Sequence, residues 1–302
     1  MISLTAAINN GYWARMNLHA RAQRALADPR HYQIAILTAL LLYGLTRLRF
    51  GFDAFAGATA MLGCLGTQAL WCRCRAQAFE PRSALISGLS LALLFRGTSL
   101  WWVALAALLT ISSKFVLRCN GKHVFNPTNF GIATLLLLSD SVWVSPGQWG
   151  SGALLIALVA CFGVVVVRRA TRSDITWAFL FFHSGLILLR GLHLGDPYPL
   201  MLHQLTSGSL LIFTFFMISD PRSTPNARLG RIVFAGLVAV VAHVLRFYYY
   251  EPNALFYALL LVSMGTPSID RLLPDERYLW PQTARDIEVV AGITTRAPAA
   301  VI

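Results

Sequence analysis

The side chains best able to do chemistry gather in two polar breaks in an otherwise apolar chain. The first is GKHVFNPTNFG, residues 121–131. An asparagine amide both donates and accepts, so Asn126 and Asn129, one helical turn apart, suit a ligand that presents alternating carbonyl and N–H groups. Asn126 is equally suited to capping a helix. Pro127, which has no N–H to lose, fits the first turn of that helix, and Gly121 permits a close backbone approach. Lys122, His123, Phe125 and Phe130 complete the tract. The second break, HQLTSGSLLIF at 203–213, runs on into SDPRSTPNARLGR at 219–231. Ser207 and Gly208 open a short segment where two backbones can approach. Asp220 and Pro221 close it, and Arg222 or Arg228 could pair with Asp220 as a structural latch.

Ionisable groups inside apolar runs mark functional candidates, and here they are His183, His243 and Arg246. No Asp or Glu falls mid-run, which argues against a proton relay or a cation pump. The two histidines lie on different runs, and hydrogen bonding within a helix bundle explains them more simply than haem ligation. Five cysteines (Cys64, Cys72, Cys74, Cys119, Cys161) lie in or beside apolar runs, and WCRC at 71–74 lacks the spacing of a zinc site. No metal site, phosphate loop, catalytic triad or carboxylate pair is legible.

The elements that must position these residues are membrane helices. Of 302 residues, 56% are hydrophobic and 13% charged, with a mean hydropathy of +0.60, whereas soluble domains carry roughly a quarter charged residues. Ten apolar runs are long enough to cross, or to half cross, a bilayer: residues 32–47, 53–72, 84–95, 99–117, 125–139, 151–167, 174–191, 205–219, 231–249 and 253–269. No alternating short segments suggest a β-barrel. With both ends cytoplasmic, 20 of the 25 Lys and Arg residues fall on the inner side, as the positive-inside rule requires. Removing one crossing would destroy that asymmetry. The net charge of +12 is thus a topology signal and not a nucleic-acid footprint. The chain is expected to be multi-pass in a bacterial-type inner (cytoplasmic) membrane, with the lipid bilayer as its first partner. No cleavable signal peptide is apparent in the basic first 31 residues.

An internal repeat organises the runs. KFVLRCNGKHVFNPTNFGIATLLLL (114–138) aligns loosely with HVLRFYYYEPNALFYALLLV (243–262), and SALISGLSLALLF (83–95) with LTSGSLLIFTFF (205–216). Runs three to five therefore parallel runs eight to ten. Because each half holds an odd number of crossings, the halves must be inverted, an arrangement that places ligands near the midplane between them. The expected division is a basic segment 1–31, a first five-helix repeat 32–139, an outer linker 140–150, a second five-helix repeat 151–270 and a cytoplasmic tail 271–302.

GKHVFNPTNFG resembles the G-x-x-x-FNPA tract of the RnfD/NqrB family of membrane subunits, which serve the Rnf complex and the sodium-translocating NADH:quinone oxidoreductase. HQLTSGSLLIFTFFMISDPRSTPNARLGR is similar to that family's SG and TDP signature, and PNALFYALLLVSMGTPSIDRL to its last span. The resemblance covers roughly residues 30–275. It implies an all-α polytopic membrane protein of ten transmembrane segments, built as two inverted five-helix repeats in a urea-transporter-like fold. It also implies flavin chemistry. The family esterifies FMN to a threonine in an S-G-A-T motif on the outer loop after the fifth span. Here that loop, 139–155, is short and reads Ser151, Gly152, Ala153, Leu154, so covalent FMN is not expected.

A non-covalent riboflavin or FMN at the FNP tract is the cofactor the resemblance implies. Asn126 matches the motif asparagine, and His123 stands where the family varies. Phe125, Phe130 or Trp143 would cover the ring system. On this reading the chain is a non-autonomous subunit that passes electrons through a bound flavin with a redox partner or other membrane subunits, since it has no NADH, iron–sulfur or quinone motif. A transporter or channel for a small polar or aromatic solute, without redox chemistry, is the alternative.

Overall fold

The computed structural model describes residues 28–46, 53–144, 163–164, 167–168 and 173–278. The basic N-terminal segment up to residue 27, the expected span 151–167 with the Ser151–Leu154 stretch, and the tail from residue 279 lie outside the described residues or almost wholly so. The rest is mostly helical. Helices α1 (Pro29–Thr46), α2 (Ala54–Cys74), α3 (Pro81–Leu94), α4 (Leu100–Val116) and α5 (Pro127–Leu138) form the first group. The second comprises α6 (Ser173–Leu194), α7 (Tyr198–Leu205), α8 (Gly208–Ile212) with a π-helical turn at Phe213–Met217, α9 (Arg228–Phe247), α10 (Ala254–Ser263) and α11 (Thr266–Leu272).

Local sequence sets the helix starts. Asp53 accepts the backbone N–H of Phe55 at 2.8 Å at the head of α2, and α3 and α5 both begin on a proline behind a capping side chain, Glu80 and Asn126, satisfying N–H groups that no carbonyl of the same helix can reach. Within the first group α2 packs on α3 and α4, α1 on α3, and α4 on α5; within the second α9 packs on α6 and α10. The short helices α5 and α10 meet across the two groups. Contact between α4 and α5 is close because residue 131 is glycine: a Cβ there would stand 2.1 Å from Thr110 Oγ1.

Polarity is arranged for lipid. Phe55, Leu62, Phe181 and Leu192 are all more than two-thirds exposed, whereas Thr110, Asn129, Thr176 and Thr214 are wholly buried. An exterior this apolar would be a liability in water, and polar groups facing the interior are the membrane pattern. The chain is a polytopic helical membrane protein. Two helices, α6 and α9, are each long and apolar enough to cross a bilayer. Helix α7 with the segment Leu210–Met217, bent by 45°, makes a third candidate span, and α3, α4, α5 and α10 are shorter apolar helices.

Two small antiparallel pairings clip the helices together. Strand β1 (Phe95–Gly97) pairs with β4 (Val142–Val144), Arg96 opposite Trp143, joining the ends of α3 and α5. Strands β2 (Arg118–Cys119) and β3 (Lys122–His123) form a hairpin just before α5. Its two-residue turn, Asn120–Gly121, has φ of 50° and 74°. Both central residues at positive φ are what an Asn-Gly turn between twisted strands calls for. Gly121 is therefore a turn residue, and the polar tract begins as a hairpin before it becomes a helix.

Candidate functional site

The site is assembled from the helix start at Asn126. With φ −61° and ψ 123° this residue stands outside the helix, and its Oδ1 accepts the backbone N–H of Asn129 at 3.0 Å. Its other amide end is not spare: Nδ2 donates to the Met217 carbonyl at 3.0 Å. Met217 ends the π-helical turn of the second polar break, where the backbone leaves regular helix pairing. Asn129 likewise donates Nδ2 to the Phe256 carbonyl of α10 at 3.0 Å. Its Oδ1 is buried without a hydrogen-bond partner among the described residues. The two asparagines thus fasten the first break to the second group of helices.

Beside Asn126 lies a cavity of about 80 Å³, lined by residues of α1, α3, α4, the hairpin and the 216–222 turn. His123, Asn126, Pro127, Asp220 and Pro221, all singled out in the sequence, meet here. Their companions are Ser87, Ser90, Lys114 and Arg222. Lys114, only 5% exposed, donates to Ser83 Oγ at 3.0 Å and reaches the Ser83 carbonyl at 3.3 Å and Gln68 Oε1 at 3.5 Å. All three acceptors are neutral, so the ammonium charge is solvated but not cancelled. Asp220 takes the backbone N–H of Arg222 at 3.2 Å and the Ser223 hydroxyl at 2.9 Å. It closes a turn; the guanidinium of neither Arg222 nor Arg228 pairs with it among the described residues. Burial depresses the Arg222 guanidinium, and the Asp220 charge opposes that effect.

His123 is 6% exposed, and its Nδ1 has no hydrogen-bond partner among the described residues. Burial pushes its imidazole down to about 2, reinforced by the charges of Arg222, Arg118, Lys114 and Arg277. It is neutral at any physiological pH. At the rim, Asp28 is gripped by Arg30 and Arg82, each at 2.7 Å. Burial alone would raise the Asp28 carboxyl, but hydrogen bonds from Arg30 and the charges of both arginines hold it below the usual range.

The other sequence candidates lie apart. Phe125 and Phe130 contact each other, ring centroids 5.2 Å apart, and neither lines the cavity. Trp143 belongs to a different cavity of about 310 Å³, with Asp53 and Arg96, beyond the far end of α5. Twelve residues of helix at 1.5 Å each put it roughly 18 Å from Asn126, so it cannot share a ligand with that residue. Ser207 accepts the N–H of Leu210 at 3.3 Å at the head of α8; it and Gly208 do not line the cavity. Arg246 is exposed near the end of α9. His183 stacks on Phe179 and His243 tilts against Phe247. Among the described residues no cluster of three metal-ligating side chains occurs. Lys122 pairs with Asp270 at 2.6 Å, on a third cavity described below.

Sequence reading named Arg222 only as a partner for Asp220, and it missed Lys114 and the serines of α3 as site residues. A signal existed for Lys114, a lysine in the last turn of an apolar helix, but it was absorbed into the count of inner-side cations.

A flavin can be tested against this cavity. The polar lining fits the O=C–N–H–C=O edge of the ring: Arg222 and Ser90 can donate to its oxygens, the Lys114 charge lies beside them, and the Ser87 oxygen, whose proton goes to Ser83, can accept its N–H. The enclosed volume fits that edge alone. It equals the space of some five to eight waters and falls short of the ~300 Å³ at which pockets for whole drug-sized ligands begin.

The family read from the sequence is borne out by comparison with known proteins. Residues 138–278 match the model of the NQR2, RnfD, RnfE family, a stretch that contains the second polar break and the last helices. The D subunit of the ion-translocating oxidoreductase complex of Shewanella piezotolerans is 30% identical over 131 residues, which cover 43% of this chain and 36% of that protein. The corresponding protein of Haemophilus ducreyi is 30% identical over 144 residues, 46% of this chain and 41% of that protein. These matches thus span well under half of either relative. A longer alignment, 287 residues at 25% identity, covers 72% of this chain and 83% of the D subunit from Alcanivorax borkumensis.

Proposed function

We propose, starting from the family that residues 138–278 match, that this chain is a membrane subunit of an electron-transfer complex and holds a non-covalent flavin by its polar edge at the Asn126 cavity. The observation that carries the reading is the convergence of both polar breaks there, through the Asn126–Met217 hydrogen bond, around Lys114 and Arg222, which form no ion pair among the described residues. Arg222 would face the carbonyl oxygens of the ring edge with the Lys114 charge beside them, the Ser90 hydroxyl would donate to a remaining lone pair, and the Ser87 oxygen would accept the N–H. Ile86, Phe216 and Met217 line the same cavity and would shield the ring from water. A bound flavin supplies a centre that takes up and passes on electrons. His123, neutral and buried, adds no charge of its own and leaves the field to Lys114 and Arg222.

Donor and acceptor belong to partner subunits on this reading, since the chain carries no NADH, iron–sulfur or quinone motif. The same reading has ten spans in two inverted halves with both termini cytoplasmic. The cation asymmetry and the meeting of the short helices α5 and α10 support it. The small, hydroxyl-lined volume favours one other function, passage of a small polar solute without redox chemistry.

Acid precipitation of the detergent-purified chain separates these readings. Flavin fluorescence in the supernatant is expected. Fluorescence retained on the pellet would mean a covalent cofactor, and none in either fraction would remove the redox reading.

A further inference from the structure

The third cavity, of about 260 Å³, shares His123 with the Asn126 cavity. The hairpin supplies Cys119, Asn120, Lys122 and His123; the turn before α9 supplies Asn226; α11 and the chain after it supply Thr266, Asp270, Arg271 and Arg277. Its one carboxylate is spent. Asp270 Oδ2 accepts from Lys122 at 2.6 Å and Oδ1 from the Asn226 backbone at 2.8 Å, while Lys122 also reaches Asn226 Oδ1 at 2.9 Å. Among the described residues Arg277 donates to the carbonyls of Asn120 and Gly121. The Arg271 side chain makes no ion pair among the described residues. The cavity therefore carries two guanidinium charges that no carboxylate pairs with among the described residues.

Two buried polar groups on its wall are also unanswered. Thr266 is 2% exposed and its Oγ1 has no hydrogen-bond partner among the described residues; the same holds for Nδ1 of His123. Leaving such groups dry is costly, so a site this polar is built for a polar occupant. Two guanidinium groups and a hydroxyl lining one cavity match an oxyanion with several acceptor oxygens, since arginine binds phosphate through parallel N–H donors.

We propose that this cavity binds a phosphate group, held by Arg271 and Arg277 with Thr266 as the hydroxyl donor. It is distinct from the Asn126 cavity and does not depend on a flavin being bound there. On the side where the cation count places the cytoplasm, the group could be free phosphate or the headgroup of an anionic lipid, and both present the same oxygens.

The test uses the full chain, purified in a neutral detergent and stripped of lipid. Thermal unfolding is followed against inorganic phosphate, with chloride holding the ionic strength constant, and separately in nanodiscs with and without phosphatidylglycerol. A rise in Tm with inorganic phosphate identifies a free-phosphate site, and a rise with phosphatidylglycerol alone identifies a headgroup site. Either supports the proposal when R271Q/R277Q, which alters exposed side chains, weakens the response at least ~10-fold, as loss of charged hydrogen bonds implies. T266V should weaken it less. No response to either probe, or an equal response in R271Q/R277Q, overturns the proposal.

Discussion

The side-chain amide of Asn126 donates to the main-chain carbonyl of Met217 at 3.0 Å, across 91 positions of sequence. One residue thereby caps the helix that follows the first polar break and satisfies a carbonyl at the end of the second. Each break exposes backbone groups that hydrocarbon cannot solvate, and each supplies what the other lacks.

Replacing Asn126 should therefore cost more than a cap. Asn126→Ala loses the bond to the Asn129 N–H, about 1 kcal/mol, and strands the buried Met217 carbonyl, about another 1–2 kcal/mol. Asn126→Asp keeps the acceptor but replaces the donor with an oxygen that faces the Met217 carbonyl, so it breaks the cross-link while leaving the cap. Denaturant unfolding in detergent measures the series: N126D as stable as the parent would show that the cross-link to Met217 contributes nothing, and equal stability of N126A and N126D that the cap contributes nothing.

Gly131→Ala should destabilise by about 1–3 kcal/mol, the cost of overpacking a tight contact. The new methyl would meet Thr110 Oγ1 at 2.1 Å and the Ala106 carbonyl at 3.0 Å, and a backbone oxygen cannot swing aside. Pairing it with Thr110→Ala should recover part of the loss. No recovery would mean that the Ala106 backbone, and not the hydroxyl, limits the approach.

How much of this was legible in the sequence varies with the physics involved. Apolar runs predict the helices well because burial in lipid dominates their formation: the run 99–117 is α4 (Leu100–Val116), and 231–249 is α9 (Arg228–Phe247). The reading of Asn126 as a cap also follows from local chemistry. The hairpin at Arg118–His123 was missed although CNGK carries the Asn-Gly turn signal, because the helix-start signal of Asn126 and Pro127 just downstream overshadows it. Helix α7 was missed for lack of apolar length, and the last run proved to be two helices, broken at Met264–Gly265. The partners of Asn126 and Asn129 were beyond reach, since both are backbone carbonyls on helices distant in sequence, and a carbonyl leaves no mark in a residue pattern.

Acid should expose the burial of His123. Its imidazole stays neutral in the folded chain down to about 2, whereas an unfolded histidine takes up a proton near pH 6.5. Below pH 6.5 the unfolded state thus binds one more proton, and stability falls with falling pH by up to about 1.4 kcal/mol per unit. The contribution is complete above pH 7 and is lost progressively in the acid range. His123→Gln, which cannot titrate, should show a shallower decline between pH 6 and 4. Parallel profiles for the two proteins would contradict the placement of His123.

Orientation can be tested with described, exposed positions. Tyr249, 72% exposed beyond the end of α9, lies on the outer side if both termini are cytoplasmic, and the exposed native Cys74 on the inner side. A membrane-impermeant thiol reagent applied to intact cells should label Tyr249→Cys in a C74S background. Cys74 should react only after permeabilisation. Labelling in the reverse order would invert the topology.

A flavin seated with its polar edge in the Asn126 cavity should be driven out when that cavity is filled. Ser87 lines it, is 4% exposed, and donates to the Ser83 carbonyl at 3.1 Å, so Ser87→Phe intrudes on the space without removing a charge. Flavin content per chain is to be measured in the parent and in S87F, both purified in the same detergent and both monodisperse by size exclusion. Near-stoichiometric, acid-extractable flavin is expected in the parent, and at least a several-fold lower content in S87F. A flavin-free parent, or equal flavin in the two proteins, would contradict the proposed seat.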